Sequence, residues 1–471
     1  MAKKHLILFI FIFLASNTKA QQFGLFNTRT LFDSFENPAQ KAFVLDSSRQ
    51  YASNFLLPNF ALNAANKGDS NFALRSLINS GKFNGVYSTS EIPIGNNARN
   101  KAYVGTNIYL LTFRLFKSYK DHQEMGFSWQ VRADGFANYS NETLVAIDNY
   151  NRFTSTQDGL FNGNGYGQSY HQFSMTYREN YTKRLSFGAK VSLLSGITYN
   201  NMQINKSNIT IDPVLEQLRV GLGGTYKSNY LDTSEISTKM LVPNFKNPGL
   251  SVGFGTTYKA KSGVFIMANV KDLGFIKWNK NSHTVALTNG QVILDRLNND
   301  QADFQDRLYR LLSENDIQKS FYTATNAKID FLISKTYGIY TPNFIISKNL
   351  FYNGGDVALV NTFRKNEFAF SLTPAYNMIG VAMLGLQTMY QTPNFEVFAG
   401  TDNLLRTAAI KQAQSVTKGY TAASVYMGMS IKFGYVVEHP QNSSYMPGVG
   451  DDANRNQGFF SKIFGVFKKK K

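Results

Sequence analysis
Gly249-Leu250-Ser251-Val252-Gly253 has the spacing of a nucleophile elbow, in which a sharp strand-to-helix turn lifts a serine hydroxyl toward an acyl carbon. That chemistry needs a turn at the serine, with an acid and a histidine to follow. Here strand alternation runs on through Tyr258, so no elbow is expected at Ser251. Gly163-Asn164-Gly165-Tyr166-Gly167 is as glycine-rich as a phosphate-cradling loop, but no strand-then-helix context surrounds it, and it reads as a flexible loop. Beyond the first twenty residues the histidines are His122, His171, His283 and His439, and none stands at metal-ligand spacing. The 31 carboxylates form no paired cluster, and the absence of cysteine removes disulfides, thiolate zinc sites and cysteine nucleophiles together. Nothing in these residues argues for an enzyme, a metal or a cofactor.

The remaining chemistry is basic. Lys and Arg number 49 against 31 Asp and Glu, for a formal charge of +18. Nucleic acid is the usual partner of such a charge, but the N-terminus argues for export. Lys3, Lys4 and His5 precede an apolar run from Leu6 to Ala15, and Ser16 to Ala20 end in small residues. This is the pattern of a secretory signal peptide over 1–20, with a retained anchor as the alternative. Cleavage leaves Gln21 first and lowers the charge by three; nucleic acid is then not an expected partner. Several bases alternate with apolar residues: Arg132, Lys190, Arg219, Lys227, Lys259, Lys328 and Lys432. If these face a lumen, they either attract anions such as carboxylates or pair with lumenal acids such as Asp330 and fill the interior.

The elements that position them repeat every two residues. Val425, Met427, Met429, Ile431 and Phe433 alternate with Ser424, Tyr426, Gly428, Ser430 and Lys432. The same rhythm runs through Met125–Arg132, Leu185–Leu193, Leu218–Lys227, Leu250–Lys259 and Ala327–Ser334. Such segments are strands with one apolar and one polar face, and they are longer than the roughly 5–6 residues of ordinary globular strands. No window after Ala20 holds enough apolar residues for a spanning helix. The expected fold is therefore all-β: a closed antiparallel transmembrane β-barrel of about 14 strands, with a large soluble β-protein as the alternative. Tyr119, Tyr139, Tyr181, Tyr258, Tyr390 and Tyr435, near segment ends, suit an interfacial belt.

The divisions follow from where alternation stops. Residues 21–100 fit it poorly and read as an N-terminal hatch or plug, with a short helix possible over Ser70–Asn79; residues 101–435 read as the barrel. Ser140–Gly167 reads as a long polar loop. From Leu287 to Ser320, Val292, Leu294, Leu297, Phe304, Leu308, Leu311 and Leu312 stand at helical spacing, a short helical insertion. Residues 436–471 are a polar linker and a basic-aromatic tail, Phe459–Lys471, which is either an interfacial helix or a disordered end.

Asn37-Pro38-Ala39 near the mature start, together with the leader and the strands through Tyr435, resembles the FadL-type outer-membrane transport superfamily. Asn247-Pro248-Gly249 and the run Asp272-Leu273-Gly274-Phe275-Ile276-Lys277-Trp278 resemble a Bacteroidota family of uncharacterised outer-membrane barrels. The resemblance implies a hatch shaped by Asn37, Pro38 and Ala39 inside a 14-stranded barrel. It also implies passive transport of hydrophobic or amphipathic, fatty-acid-like molecules across the outer membrane, with membrane lipid and such a ligand as partners. The basic tail departs from the transport pattern. It supports a rival, a non-transport barrel that docks periplasmic, secretion or surface-protein partners through Phe459–Lys471.

Overall fold
The computed structural model describes residues 23–43, 49–70, 89–90, 92–116, 123–212, 214–231, 242–295, 301–377, 380–409 and 420–436. The leader, most of the Ser70–Asn79 stretch, Tyr119, His122, His439 and the Phe459–Lys471 tail lie outside the described residues.

The strands are β1 (Arg49–Ser53), β2 (Asn59–Lys67), β3 (Arg99–Phe116), β4 (Glu124–Ser140), β5 (Gln157–Asp158), β6 (Gly163–Asn180) and β7 (Leu185–Asp212). There follow β8 (Gln217–Ser228), β9 (Pro248–Lys259), β10 (Val264–Trp278), β11 (His283–Asp295), β12 (Asp316–Gln318), β13 (Phe321–Ala324) and β14 (Lys328–Lys335). The last are β15 (Tyr340–Asn349), β16 (Gly355–Lys365), β17 (Phe368–Asn377), β18 (Val381–Gln391), β19 (Phe395–Thr401) and β20 (Tyr420–Val436). Among the described residues there are also four short α-helices: α1 (Leu31–Glu36), α2 (Asn141–Asp148), α3 (Gln301–Glu314) and α4 (Leu404–Ala409).

β1 and β2 are two halves of one broken strand, since both pair with β3 on one side and β20 on the other. This pairing closes the ring. β13 and β14 likewise share β10 as partner, and the closed antiparallel barrel has 14 strands. At the break, Asn54 replaces missing ladder bonds. Its Nδ2 donates to the carbonyls of Tyr109 (3.2 Å) and Leu110 (3.3 Å), and its Oδ1 accepts from the Thr112 amide (2.8 Å). A wall in hydrocarbon has no water to do this. The barrel therefore begins at Arg49, not at residue 101. The sequence pattern does not reveal the broken strand, because its two apolar runs are short and its middle is irregular.

Around the ring the apolar faces point outward. Phe127, Val191, Leu193, Phe254, Phe331 and Val425 are exposed, while Ser128, Gln130, Ser192, Ser251, Asp330 and Ser430 are buried. Among the described residues no helix is long and apolar enough to cross a membrane. One end carries short turns, such as 181–184, 260–263 and 392–394, and the other the long connections. In outer-membrane barrels the short turns are periplasmic. Tyr181, Tyr258 and Tyr390 stand at that end.

A cap rises from the long-loop end. The first half of β7 pairs with β9, and its second half leaves the ring to pair with β8, which pairs with β11, and β11 with β12. Leu144, Val145, Tyr150, Phe161, Ile209, Leu218, Val220, Val292, Leu294 and Leu311 form its core, with Tyr139 packed against it. Three expectations are corrected here. Ser140–Gly167 is not a polar loop but holds α2 and part of this core. The described helix is 301–314, and Val292 and Leu294 are not part of it: they lie on β11, which turns alternate residues inward. On β8 the apolar residues Leu218 and Val220 are the buried ones, so Arg219 and Lys227 do not line the closed barrel.

Candidate functional site
The lumen holds residues 23–43. Thr30 caps α1, accepting the Asp33 amide on its hydroxyl (3.1 Å), which satisfies one of the donors a helix start leaves open. Glu396 on β19 accepts another, from the Leu31 amide (2.7 Å). Leu31, Phe32 and Phe35 are buried, with Phe32 edge-on to Tyr109 of β3 at 5.1 Å between ring centres.

Asn37 ends α1. Its amide donates to the Asp33 carbonyl (2.8 Å), and its Oδ1 accepts from the Ala39 amide (3.0 Å), an Asx turn in which Pro38 leaves no donor unmet. The turn lies against Gly188 and Gly255, which are ladder partners on β7 and β9. A Cβ on Gly188 would sit 2.1 Å from the Pro38 carbonyl carbon, and one on Gly255 2.3 Å from Asn37 Oδ1. Arg178 Nε donates to the Ala39 carbonyl (2.9 Å) and Arg114 to that of Ser34 (3.0 Å); both arginines flank Glu124.

Glu36 joins the plug to a buried ion cluster. It accepts from Arg132 (2.6 Å), Lys271 (3.4 Å), Asn107 (2.8 Å) and the Tyr109 hydroxyl (2.8 Å). Arg132 also pairs with Asp272, which binds Lys190 (3.2 Å), and Lys271 also pairs with Asp330 (2.9 Å). Three bases thus meet three acids, and the cluster is formally neutral. Burial alone would push the Glu36 carboxyl up, but Arg132, Lys271 and Lys190 hold it well below the usual range. Asp33 differs: burial, only partly offset by hydrogen bonds from the Arg29 amide and Gln40, raises it to about 7. Above α1 lies a cavity of about 60 Å³, lined in part by Phe26, Asp33, Glu36, Asn107, Lys271 and Lys328.

Of the seven bases read from the sequence, Arg132 and Lys190 are in this cluster and Lys328 borders the cavity. Lys432 is buried, its ammonium 4.4 Å from the Phe116 ring centre. Arg219, half-exposed and 3.7 Å from Asp212, and Lys227, exposed, are on the cap, and Lys259 is exposed at the short-turn end. Their strands leave the ring or end there, so alternation no longer means lumen. Alternation does not single out the acids Glu36 and Asp272 or the base Lys271. Asp272 sits at a β-bulge with φ +51°, where β10 shifts register against β9, and the bulge puts two consecutive residues, Lys271 and Asp272, on the inner side. The Asp272–Trp278 run was the available signal.

Ser251 lies within the unbroken β9, buried. His283 pairs with Asp316 (2.6 Å) in the cap. Among the described residues no group of three His, Cys, Asp or Glu could hold a metal ion.

No curated protein matches the chain. Among solved structures it is similar to the Pseudomonas putida toluene transporter TodX at 9% identity and a TM-score of 0.44, over 89% of this chain and 95% of that one. A TodX monoaromatic hydrocarbon channel mutant gives 8% and 0.45, over 89% and 96%. A Pseudomonas aeruginosa FadL homologue gives 10% and 0.41, over 87% and 96%. At these scores none of them assigns a substrate. Residues 45–402, most of the sequence, match the model of the family of unknown function DUF5723, and the chain belongs to that family.

Proposed function
We propose that the protein is an outer-membrane channel for passive passage of hydrophobic or amphipathic small molecules, held shut by its N-terminal plug. One observation carries this reading. On one side of the lumen Met267, Leu332, Ile345 and Val360 make an inward apolar patch, and the plug covers it with Phe23 and Phe26. An acyl or aryl group competes for the same patch. A buried phenylalanine contributes about 1.5–3 kcal/mol and a methylene ~0.8 kcal/mol, so roughly four to seven methylenes offset both rings.

The cavity of about 60 Å³ is far below the ~300 Å³ of a small-molecule site. Passage therefore requires the plug to shift, with Asn37, Pro38 and Ala39 as its anchor on the wall. Lys328 borders the cavity and has no ion-pair partner among the described residues, which suits it to a ligand carboxylate. The test is uptake of a labelled long-chain fatty acid by proteoliposomes, comparing the full chain with one lacking residues 23–43. Faster uptake after deletion supports a gated channel; equal uptake contradicts it.

A further inference from the structure
At the long-loop end, three described segments meet on the outer side of β9, β10 and β13. Asn247 and Asn279 join two of them: Asn247 Oδ1 accepts from the Asn279 amide (3.0 Å) and from its Nδ2 (2.9 Å). Lys246 precedes the first asparagine and Lys280 follows the second. The Lys319 amide donates to the Ser282 carbonyl (2.8 Å), which brings in the third segment. Lys277 lies one step down β10, its ammonium 5.9 Å from the centre of the Tyr322 ring. All four lysines are exposed, and none has an ion-pair partner among the described residues. Residues 242–250, 273–283 and 317–322 together contain no Asp or Glu.

Below the lysines the same face turns apolar. Leu250, Phe254, Leu273, Phe275 and Tyr322 are 40–64% exposed, on the surface that the barrel presents to acyl chains. A cationic rim whose lysines have no ion-pair partner among the described residues, the nearby Asp316 being bonded to His283, stands above an acyl-facing strip and complements an amphiphile with an anionic head.

We propose that this corner binds the phosphorylated headgroup of an outer-leaflet glycolipid, with its acyl chains along Leu250, Leu273 and Phe275. Lys246, Lys277 and Lys280 contact the phosphates; Tyr322 holds the Lys277 ammonium toward the rim.

The full chain in detergent micelles, titrated with bisphosphorylated lipid A and followed by native mass spectrometry, tests this without reference to transport. K246Q/K277Q/K280Q is expected to weaken binding roughly 100-fold, about fivefold per lysine near a membrane surface. Dephosphorylated lipid A is expected to bind the unchanged chain as weakly. A control, K183Q/K259Q/K261Q at the opposite rim, is expected to bind like the unchanged chain. Equal loss in the control, equal binding of the dephosphorylated lipid, or no loss in the triple variant would each overturn the proposal. So would full displacement by millimolar inorganic phosphate, which would mean a bare anion site.

Discussion
Gly188 and Gly255 face each other across the β7–β9 ladder, and the space left by their missing side chains is where Asn37-Pro38-Ala39 seats. Any Cβ on Gly188 meets the backbone of Pro38 and Ala39, which cannot step aside as a flexible side chain can. Gly188→Val is therefore expected to unseat the plug while the ring still closes. Protease nicking within residues 23–43 should rise about tenfold or more, with heat-modified gel mobility of the barrel unchanged. Nicking at the unmodified rate would show that the turn is not held by this seat.

Arg132 bonds both Glu36 and Asp272, so its loss leaves each of two buried acids with one base, Lys271 or Lys190, whereas losing the Glu36 charge leaves Arg132 its bond to Asp272. Arg132→Gln is expected to cost ~3–5 kcal/mol and Glu36→Gln ~1–3 kcal/mol, measured by denaturant unfolding in detergent. A larger cost for the glutamate would put the centre of the cluster elsewhere.

Asp33 makes plug seating depend on pH. Its carboxyl is raised from 3.8 to about 7 when seated, so the seated state binds the proton more tightly. Seating is then strongest at low pH, weakens as pH climbs from about 4 to 7, and is weakest above that. Glu36, held low, acts in the opposite sense, and only below its ordinary value of 4.5. Nicking of the plug should be faster at about pH 8 than at about pH 5, and Asp33→Asn should flatten the difference. A profile that falls with pH would contradict the assignment.

If Lys328 receives a carboxylate, Lys328→Gln should lower the preference for a fatty acid over the matching alcohol about fivefold in the liposome assay. Thermal stability should stay put, since Lys328 has no ion pair to break among the described residues. An unchanged preference places the ligand head elsewhere in the lumen.

What was legible in the sequence is what a strict period encodes. Alternation placed Arg132, Lys190, Gly188 and Gly255 on the polar face, and on β7 and β9 that face turned out to be the inner one. It failed where the period breaks. At Asp272 a bulge turns two consecutive residues inward, and between β1 and β2 a single strand is cut by a bend whose missing ladder bonds Asn54 replaces toward β3 and Asn59 toward β20. It also misled where the period persists but the surroundings change. Leu218 and Val220 alternate as lipid-facing residues do, yet they bury themselves against α2 and α3, elements 70 or more residues away in the chain. Ion partners such as Glu36 and Arg132, far apart in sequence, leave no local signal at all.

The absence of cysteine allows the gate to be locked at will. Asn27 of the plug and Asn343 of β15 touch, side chain to side chain, at 2.9 Å. With both changed to cysteine and joined by a short reducible crosslinker, fatty-acid flux into proteoliposomes should fall to the protein-free rate and return when the link is reduced. Undiminished flux through the locked barrel would contradict a plug that must move.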